Sequence, residues 1–381
     1  MSEPIYLDHH ATTPCDPRVL ERMLPFFTEI FGNPSAITHQ HGRRAATALV
    51  EARASVADFF RVKPAAVYFT AGATESNHLV LRGLALEGKH LITSAIEHPS
   101  VLTPIRDLER KGVAVTVLPV DREGFVDPDS VRSAIRAETA LVSIMAANGE
   151  VGTIQPIQKI GEICREREVP FHTDATQAAG KIPLDLSEIP CDLLSLSAHK
   201  VYGPKGVGAL IVRPGLRLAP WLTGGGQERG LRSGTVNVPG AIGLAAALEI
   251  RRSEMAGEAE RLTAMRDRLR DAILDRIPGT WLNGPRRSRL PGNLNIGFEG
   301  IDAESLMFAM RRFSLSSGSA CSAGEKNPSP VLLALGSSEA RAVESIRFGL
   351  GRSTSPADLE ILIADLESSV ARLRPMEGIE K

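Results

Sequence analysis

The feature that most limits what this chain can fold into is an alternation of two patterns. Short, almost wholly apolar runs end in polar residues, and segments with helical periodicity follow them. The runs are Val67-Tyr68-Phe69-Thr70, His90 to Ser94, Val113 to Leu118, Thr139 to Met145, Pro170 to Asp174 and Cys191 to Leu196, with Val207 to Val212 close behind. Helical stretches lie among them: one ending near Leu86, then Val101 to Lys111, about Asp129 to Ala137, and Ile157 to Glu166. A strand that is apolar on both faces must be covered on both. The pattern therefore predicts an α/β fold with a mostly parallel sheet between layers of helices. In such sheets ligands bind in the crevice beyond the carboxyl ends of the strands. Thr74, His98, Asn148, Asp174 and Lys200 all stand just past such an end.

Lys200 carries the most chemistry of these. The stretch from Ser195 to Gly206 puts His199, Lys200 and Lys205 where a buried strand opens into a turn. Partial burial there favours the free amine, the form that makes Schiff bases with carbonyls. A single Ser-x-His-Lys reads as a solvated loop; its coincidence with the other strand ends favours chemistry. Upstream, Ala71-Gly72-Ala73-Thr74-Glu75-Ser76-Asn77 places small residues at a helix N-terminus, where free backbone N–H groups and the dipole attract an anion. With the Thr74 hydroxyl this suits a phosphate, and equally an ordinary N-cap.

At 381 residues the chain exceeds one simple core. A large domain over residues 15–250 and a small one from 1–14 with 251–381 are expected. The connector is the helical stretch from Ala241 to about Ile277, with Leu262, Met265, Leu269 and Ile273 on one face and a bend at Gly257. A formal net charge of −1 gives no electrostatic footprint for nucleic acid or a membrane surface. No apolar run reaches the length of a membrane span, and no basic region followed by an apolar core opens the chain, so a cytoplasmic protein is expected. Cys15, Cys164, Cys191 and Cys321 are scattered, with no Cys-x-x-Cys pair. Neither a zinc site nor a disulfide framework is indicated. His9-His10, His39 and His41 suit turn polarity better than metal ligation.

Elsewhere, Ile5 to Pro14 reads as a short strand running into a polar turn, and Asp16-Pro17 caps a helix from about Arg18 to Phe27. Gly42 to Phe60 shows an amphipathic face of Ala46, Leu49, Val50, Ala54, Val56, Ala57 and Phe60. The loop from Gly224 to Thr235 is rich in Gly and Arg and suits anion contact, subunit contact or a flexible turn. Asn293 to Phe298 and Ser345 to Leu350 read as strands; Ala303 to Arg312 and about Pro356 to Arg374 read as helices. Between them, Ser316 to Glu325 sets Cys321 among small residues. Cys164, in a helix, and Cys191, opening an apolar strand, read as inert small hydrophobes. Cys321 instead has the setting of a nucleophile that must travel.

Taken together, these stretches resemble the pyridoxal-phosphate-dependent cysteine desulfurases of the nitrogen-fixation and iron–sulfur-cluster type, within the class V aminotransferase superfamily. The resemblance covers nearly the whole chain. It runs through Tyr6 to Pro14, Gly72 to Asn77, Glu97-His98, His172 to Gln177, Ser197 to Lys200, Arg232 to Thr235 and Ser317 to Cys321. It implies a fold-type I architecture and a homodimer. Lys200 would form the Schiff base with pyridoxal 5'-phosphate, Asp174 would pair with the pyridine nitrogen, and His98 would stack on the ring and handle protons. Gln177 would bond the ring hydroxyl. Ala73, Thr74, Ser197 and His199 would hold the phosphate, with Thr235 contributed by the second subunit. Asn148 and Arg347 would bind the carboxylate of L-cysteine, Arg347 as a bidentate fork. Cys321 would take the sulfur as a persulfide for a scaffold or carrier acceptor, and L-alanine would leave. Cluster-assembly members often carry a longer C-terminal tail, so the end at Lys381 leaves the acceptor open. A selenocysteine lyase or a plain class V aminotransferase needs no mobile cysteine, so Cys321 argues against both. A non-catalytic carrier or scaffold would not need Lys200, Asp174 and His98 together.

Overall fold

The computed structural model describes residues 4–84, 89–317 and 328–374. The chain opens with β1 (Ile5–Tyr6), α1 (Pro17–Met23), α2 (Pro25–Thr28) and α3 (Gln40–Phe59). The alternation follows as β2 (Val67–Thr70), α4 (Ala73–Gly83), β3 (His90–Ser94), α5 (Pro99–Glu109), β4 (Ala114–Leu118) and α6 (Pro128–Ala134). It continues as β5 (Thr139–Ser143), α7 (Ile157–Glu166), β6 (Phe171–Asp174), β7 (Leu193–Ser197) and β8 (Gly208–Val212). The last third holds α8 (Val238–Arg276), β9 (Thr280–Leu282), β10 (Asn293–Phe298), α9 (Ala303–Ala309) and β11 (Phe313–Ser314). It closes with α10 (Pro330–Ala334), α11 (Glu339–Val343), β12 (Ser345–Gly349) and α12 (Pro356–Leu373).

Strands pair in the order β2-β8-β7-β6-β5-β3-β4 to make a seven-stranded sheet. All pairings are parallel except those of β8, which runs antiparallel to both its neighbours. Two reversals restore direction, so β2 points the same way as β7. The carboxyl ends of β2, β7, β6, β5 and β3 therefore share one edge, where parallel α/β sheets bind ligands. The mostly parallel sheet expected from the apolar runs is present, and β3, β7 and β8 are buried at every residue.

The apolar side chains gather into separate cores. The largest joins α3, one face of the sheet and the first half of α8, through Leu49, Val56, Phe60, Phe171, Leu196, Leu244 and Leu248. Another joins the second half of α8 to β10, β12 and α12, through Leu262, Leu269, Ile273, Phe298, Phe348 and Leu362, and takes in Leu7 from the N-terminus. In this second core β10 pairs antiparallel with both β9 and β12, while β1 lies parallel to β11. The buried face of Leu262, Met265, Leu269 and Ile273 is the one expected from periodicity. The helix runs unbroken past Gly257, where the sequence suggested a bend.

Several local expectations need correction. The helix expected from Arg18 to Phe27 is two, because Pro25 has no N–H to donate and restarts the chain at Leu24. Asp16 does cap the first, accepting from the Arg18 amide at 2.9 Å. The buried face of α3 is Gly42, Ala45, Ala48, Leu49, Ala52, Val56 and Ala57. Val50 is 65% exposed, and Ala54 faces solvent as well. So many alanines leave the pattern with little contrast between faces, and the stripe was drawn too far round. Helix α4 stops at Gly83 instead of near Leu86, and α9 at Ala309 instead of Arg312. Strands β9 and β11 and helices α10 and α11 were not anticipated; each has five residues or fewer.

Candidate active site

Each turn at the carboxyl edge is shaped by its own sequence. After β2, Gly72 adopts φ +154° and ψ 179°, a region open essentially only to glycine, and starts α4 with no side-chain cap. The first-turn amides of α4 therefore have no intrahelical acceptor. That of Ala73 leans on Ser197 Oγ at 3.4 Å, and the Thr74 side chain is exposed above them. After β7, residues Ala198–Lys200 form a single 3-10 turn. Lys200 Nζ there donates to the carbonyls of His10 (2.6 Å) and Ala11 (2.7 Å). His199 Nδ1 lies 3.1 Å from Thr12 Oγ1, and burial followed by the charge of Lys200 pushes its pKa down to about 4.

After β6, Asp174 is held by two donors, the Thr176 amide on Oδ1 and Asn77 Nδ2 on Oδ2, both at 2.9 Å. Each oxygen keeps lone pairs for a further donor. Gln177 accepts from Lys181 Nζ at 2.9 Å and donates to His10 O at 2.9 Å, leaving one amide hydrogen with no partner among the described residues. Lys181 is itself half-buried, and desolvation, with the Lys200 charge next, holds its pKa well below the ordinary lysine value. After β3, His98 caps α5 with its ring open to the crevice. Enclosure by the surrounding protein lowers its pKa; Asp174 opposes that shift and Lys200 adds to it. His98, Asp174 and Lys200 stand at or just past the carboxyl ends of β3, β6 and β7 on one edge of the sheet, and hydrogen bonds through Ser100 and Asn77 join the first two.

Beneath them, Glu97 is 3% exposed. One of its oxygens accepts from Ser94 Oγ (2.6 Å) and from the Met145 amide (2.8 Å). Burial pushes this carboxyl up to about 8, so it is protonated at neutral pH. His172, inside the sheet between Ser143 and Ser195, is pushed down to about 4 by burial. Desolvation thus favours the neutral form of both Glu97 and His172.

Two sequence-derived residues have partners that the sequence did not reveal. Asn148 reaches the crevice edge, but its side chain is spent on its own turn. Its Oδ1 accepts from the amides of Glu150 (2.8 Å) and Val151 (3.0 Å), and Nδ2 donates to Ile96 O at 3.0 Å. That turn brings Gly149 so close to Gln177 that a Cβ there would sit 2.6 Å from Nε2. Arg347, on β12, meets the crevice from the second core. It pairs with Asp8 at 2.8 Å and donates to Gly149 O at 3.2 Å. Its Nε is buried with no hydrogen-bond partner among the described residues.

Thr235 is exposed, on a loop docked against the first turn of α4 by the Arg232–Glu75 pair at 2.7 Å. The base of that loop is fixed by Glu228, which pairs with Arg53 at 2.6 Å and accepts from the Phe69 amide. Cys321 lies outside the described residues. Cys164 and Cys191 have thiols pushed up to about 12 by burial, as suits inert hydrophobes. No cluster of His, Cys, Asp and Glu among the described residues could hold a metal. No helix among them is long and apolar enough to cross a membrane. Sequence reasoning missed Asn77, Ser100, Asp8, His10 and Lys181. Only Asn77 carried a usable signal, as a polar residue in the first turns of the helix that follows β2.

A strand-end lysine, a carboxylate held by two donors and a neutral imidazole at one sheet edge define a class, and the comparisons agree. The aminotransferase class-V family model matches residues 5–362, and the chain belongs to that family. Within it, the chain is 49% identical to cysteine desulfurase IscS of Anaeromyxobacter sp. (strain Fw109-5), over 100% of this chain and 95% of that one. It is 48% identical to cysteine desulfurase IscS of Methylococcus capsulatus (strain Bath) at the same coverage. With a probable mitochondrial cysteine desulfurase of Dictyostelium discoideum it shares 47% identity, over 99% and 85% of the two chains. Among solved structures, a NifS-like protein superposes with a TM-score of 0.91 at 35% identity, covering 97% of this chain and 100% of that one. SspA in complex with cysteine gives 0.82 at 40% identity, covering 91% and 98%. The fold is that of the NifS-like, fold-type I enzymes.

Proposed function

We propose that this chain is a pyridoxal-phosphate-dependent cysteine desulfurase. It would take sulfur from L-cysteine onto Cys321, release L-alanine, and pass the persulfide to an acceptor in iron–sulfur cluster or related thio-cofactor assembly. The observation that carries the reading is the meeting of Lys200, Asp174 and His98 beyond the carboxyl ends of β7, β6 and β3. The names of the full-length relatives narrow it to sulfur chemistry.

The residues present fit the cofactor. Lys200 offers an amine, Asp174 offers free lone pairs to a ring N–H, and Gln177 keeps one amide hydrogen for a ring hydroxyl. The uncapped start of α4, with Ala73, Thr74, Ser197 and His199 around it, offers donors to a phosphate. Bound pyridoxal phosphate would supply an electron-withdrawing ring for the electrons left when the substrate Cα–H bond breaks. Lys200 would be the base for that proton, and His98 would help hold the ring and move protons at Nε2. Arg347 holds the substrate carboxylate, and Asn148 sets the turn that shapes this part of the crevice. The Cys321 thiolate would then attack the substrate sulfur: an S–S bond forms as the Cβ–S bond breaks, the bonding electrons and a proton end on the alanine methyl group, and Lys200 returns the proton it took to Cα.

The division into residues 15–250 and 1–14 with 251–381 is part of the same proposal, supported by the separate cores on the two halves of α8. So is the homodimer. Leu20, Leu24, Phe27, Phe31 and Ile37 are between 48% and 64% exposed along one N-terminal stretch, an apolar surface suited to a second copy. Thr235 would complete the second subunit's phosphate site. A cytoplasmic location follows the likeness to IscS.

The test is mass spectrometry of the Cys321 peptide after brief exposure to L-cysteine, with alanine assayed in parallel. One extra sulfur is expected on Cys321 of the wild type, and almost no alanine from Cys321→Ala. Sulfur on Cys15 instead, or wild-type turnover by Cys321→Ala, would overturn the reading.

A further inference from the structure

His98 is held by a chain of hydrogen bonds that none of the sequence motifs announces. Its Nδ1 lies 3.1 Å from the Ser100 backbone amide and 2.8 Å from Ser100 Oγ. A backbone N–H can only donate, so Nδ1 is an acceptor and the neutral ring carries its hydrogen on Nε2. Ser100 Oγ in turn receives Asn77 Nδ2 at 2.9 Å, which turns its own O–H toward Nδ1. The other Nδ2 hydrogen goes to Asp174 Oδ2, also at 2.9 Å. The carboxylate settles the orientation of Asn77. Reversing the amide would set Oδ1 against the carboxylate, which has no hydrogen to donate, whereas the present orientation only leaves Oδ1 buried without a partner among the described residues. Asn77 is 0% and Ser100 8% exposed, so water offers little competition.

We propose that Asn77 and Ser100 are positioning residues that lock His98 as the Nε2–H tautomer and tie it to Asp174. The direction of donation is set at one end, by the carboxylate, and carried through Asn77 and Ser100 to the ring. His98 then presents a hydrogen-bearing Nε2 to the crevice, while Nδ1 is closed to proton exchange. The role of His98 rests on the desulfurase reading, but its tautomer does not.

The experiment is ¹⁵N NMR of holoenzyme labelled at its histidine rings, with the His98 signals assigned by difference against His98→Gln. The wild type should show Nε2 protonated and Nδ1 unprotonated and hydrogen-bonded. In Ser100→Ala, Nδ1 keeps only the longer amide bond and should move toward the resonance of a free imine nitrogen; Ser100→Thr should restore the wild-type pattern. Loss of one neutral hydrogen bond should lower kcat for L-cysteine roughly three- to ten-fold in Ser100→Ala with KM little changed. A protonated Nδ1 in the wild type would overturn the proposal, and so would an unmoved His98 signal in Ser100→Ala. The wild-type spectrum decides even where a variant folds poorly. Because the tautomer is read without turnover, its failure is distinguishable from failure of the desulfurase assay.

Discussion

The pairing of Arg347 with Asp8 makes the proposed substrate site testable by an unusual sign of effect. Arg347 is 9% and Asp8 17% exposed, and the pair spans 2.8 Å. A substrate carboxylate must therefore share or displace a resident one. Asp8→Asn keeps the shape and an acceptor oxygen but removes the competing charge. A hydrogen bond to a charged partner is worth about 1–1.5 kcal/mol more than a neutral one, so KM for L-cysteine should fall roughly five- to ten-fold. The same change leaves the guanidinium less compensated. Removing one partner of a fully buried pair costs about 3–5 kcal/mol, and the partial exposure of Asp8 places this case near or below the lower figure. The variant should melt several degrees below the wild type and regain most of that loss with saturating L-cysteine or a non-reactive amino acid. Steady-state kinetics and thermal melts at several ligand concentrations read both effects. A folded Asp8→Asn with unchanged or raised KM would refute the argument, and would leave Arg347 as a structural partner of Asp8 only.

Lys200→Ala should lower turnover by roughly 10³-fold or more, and borohydride followed by peptide mapping should place the pyridoxyl label of the wild type on Lys200. A label on Lys205 or on the half-buried Lys181 would refute the assignment. Glu97 gives a pH test: its carboxyl is pushed from an ordinary 4.5 up to about 8, so the folded chain holds a proton there that the unfolded chain loses. Stability contributed at this position is therefore full below pH 4.5, falls as pH rises toward 8, and is level beyond. Glu97→Gln removes that fall, so its Tm relative to wild type should rise between about pH 5 and 8; a Tm difference that does not change with pH would refute the burial argument.

The parts of this site that could be read from the sequence share one property: they follow directly on a long apolar run. Lys200, Asp174 and His98 each interrupt a strand signal, and strand ends are where parallel sheets place chemistry. The sheet itself was legible for the same reason, since the apolar runs of β3, β5 and β7 are too long and too uniform for a one-sided sheet. Periodicity carries no direction, so nothing in Val207 to Val212 announced that β8 runs antiparallel. Asp8 and Arg347 are separated by 339 positions, and no local pattern joins them. Ser100 reads as an ordinary first-turn residue of a helix, and only its distance to His98 Nδ1 gives it a role. Asn148 was placed correctly at the edge, yet whether an amide faces outward or folds its own turn depends on hydrogen bonds that composition does not encode.

The N-terminal segment shows why the missed residues matter. Residues 8–13 form neither helix nor ordinary strand, so their backbone groups must find partners one by one. On one side Leu7 O and His9 N–H bond to Gly349, beside Arg347 on β12. On the other, the Thr13 amide donates to His199 O, and the carbonyls of His10 and Ala11 accept from the amine of Lys200. The same segment carries Asp8. The amine proposed to hold the cofactor thus also satisfies the strand-less chain that presents the carboxylate opposed to Arg347. Engaging Lys200 covalently would withdraw donors from two carbonyls, each worth about 0.5–1.5 kcal/mol. His10 O would keep the Gln177 donor, and the segment its bonds to Gly349 and His199, so the loosening would fall mainly at Ala11, and Asp8 would be easier to displace by the proposed substrate carboxylate. On the proposed reading, cofactor attachment and substrate binding would be coupled through these ordinary backbone hydrogen bonds, with no further moving part required.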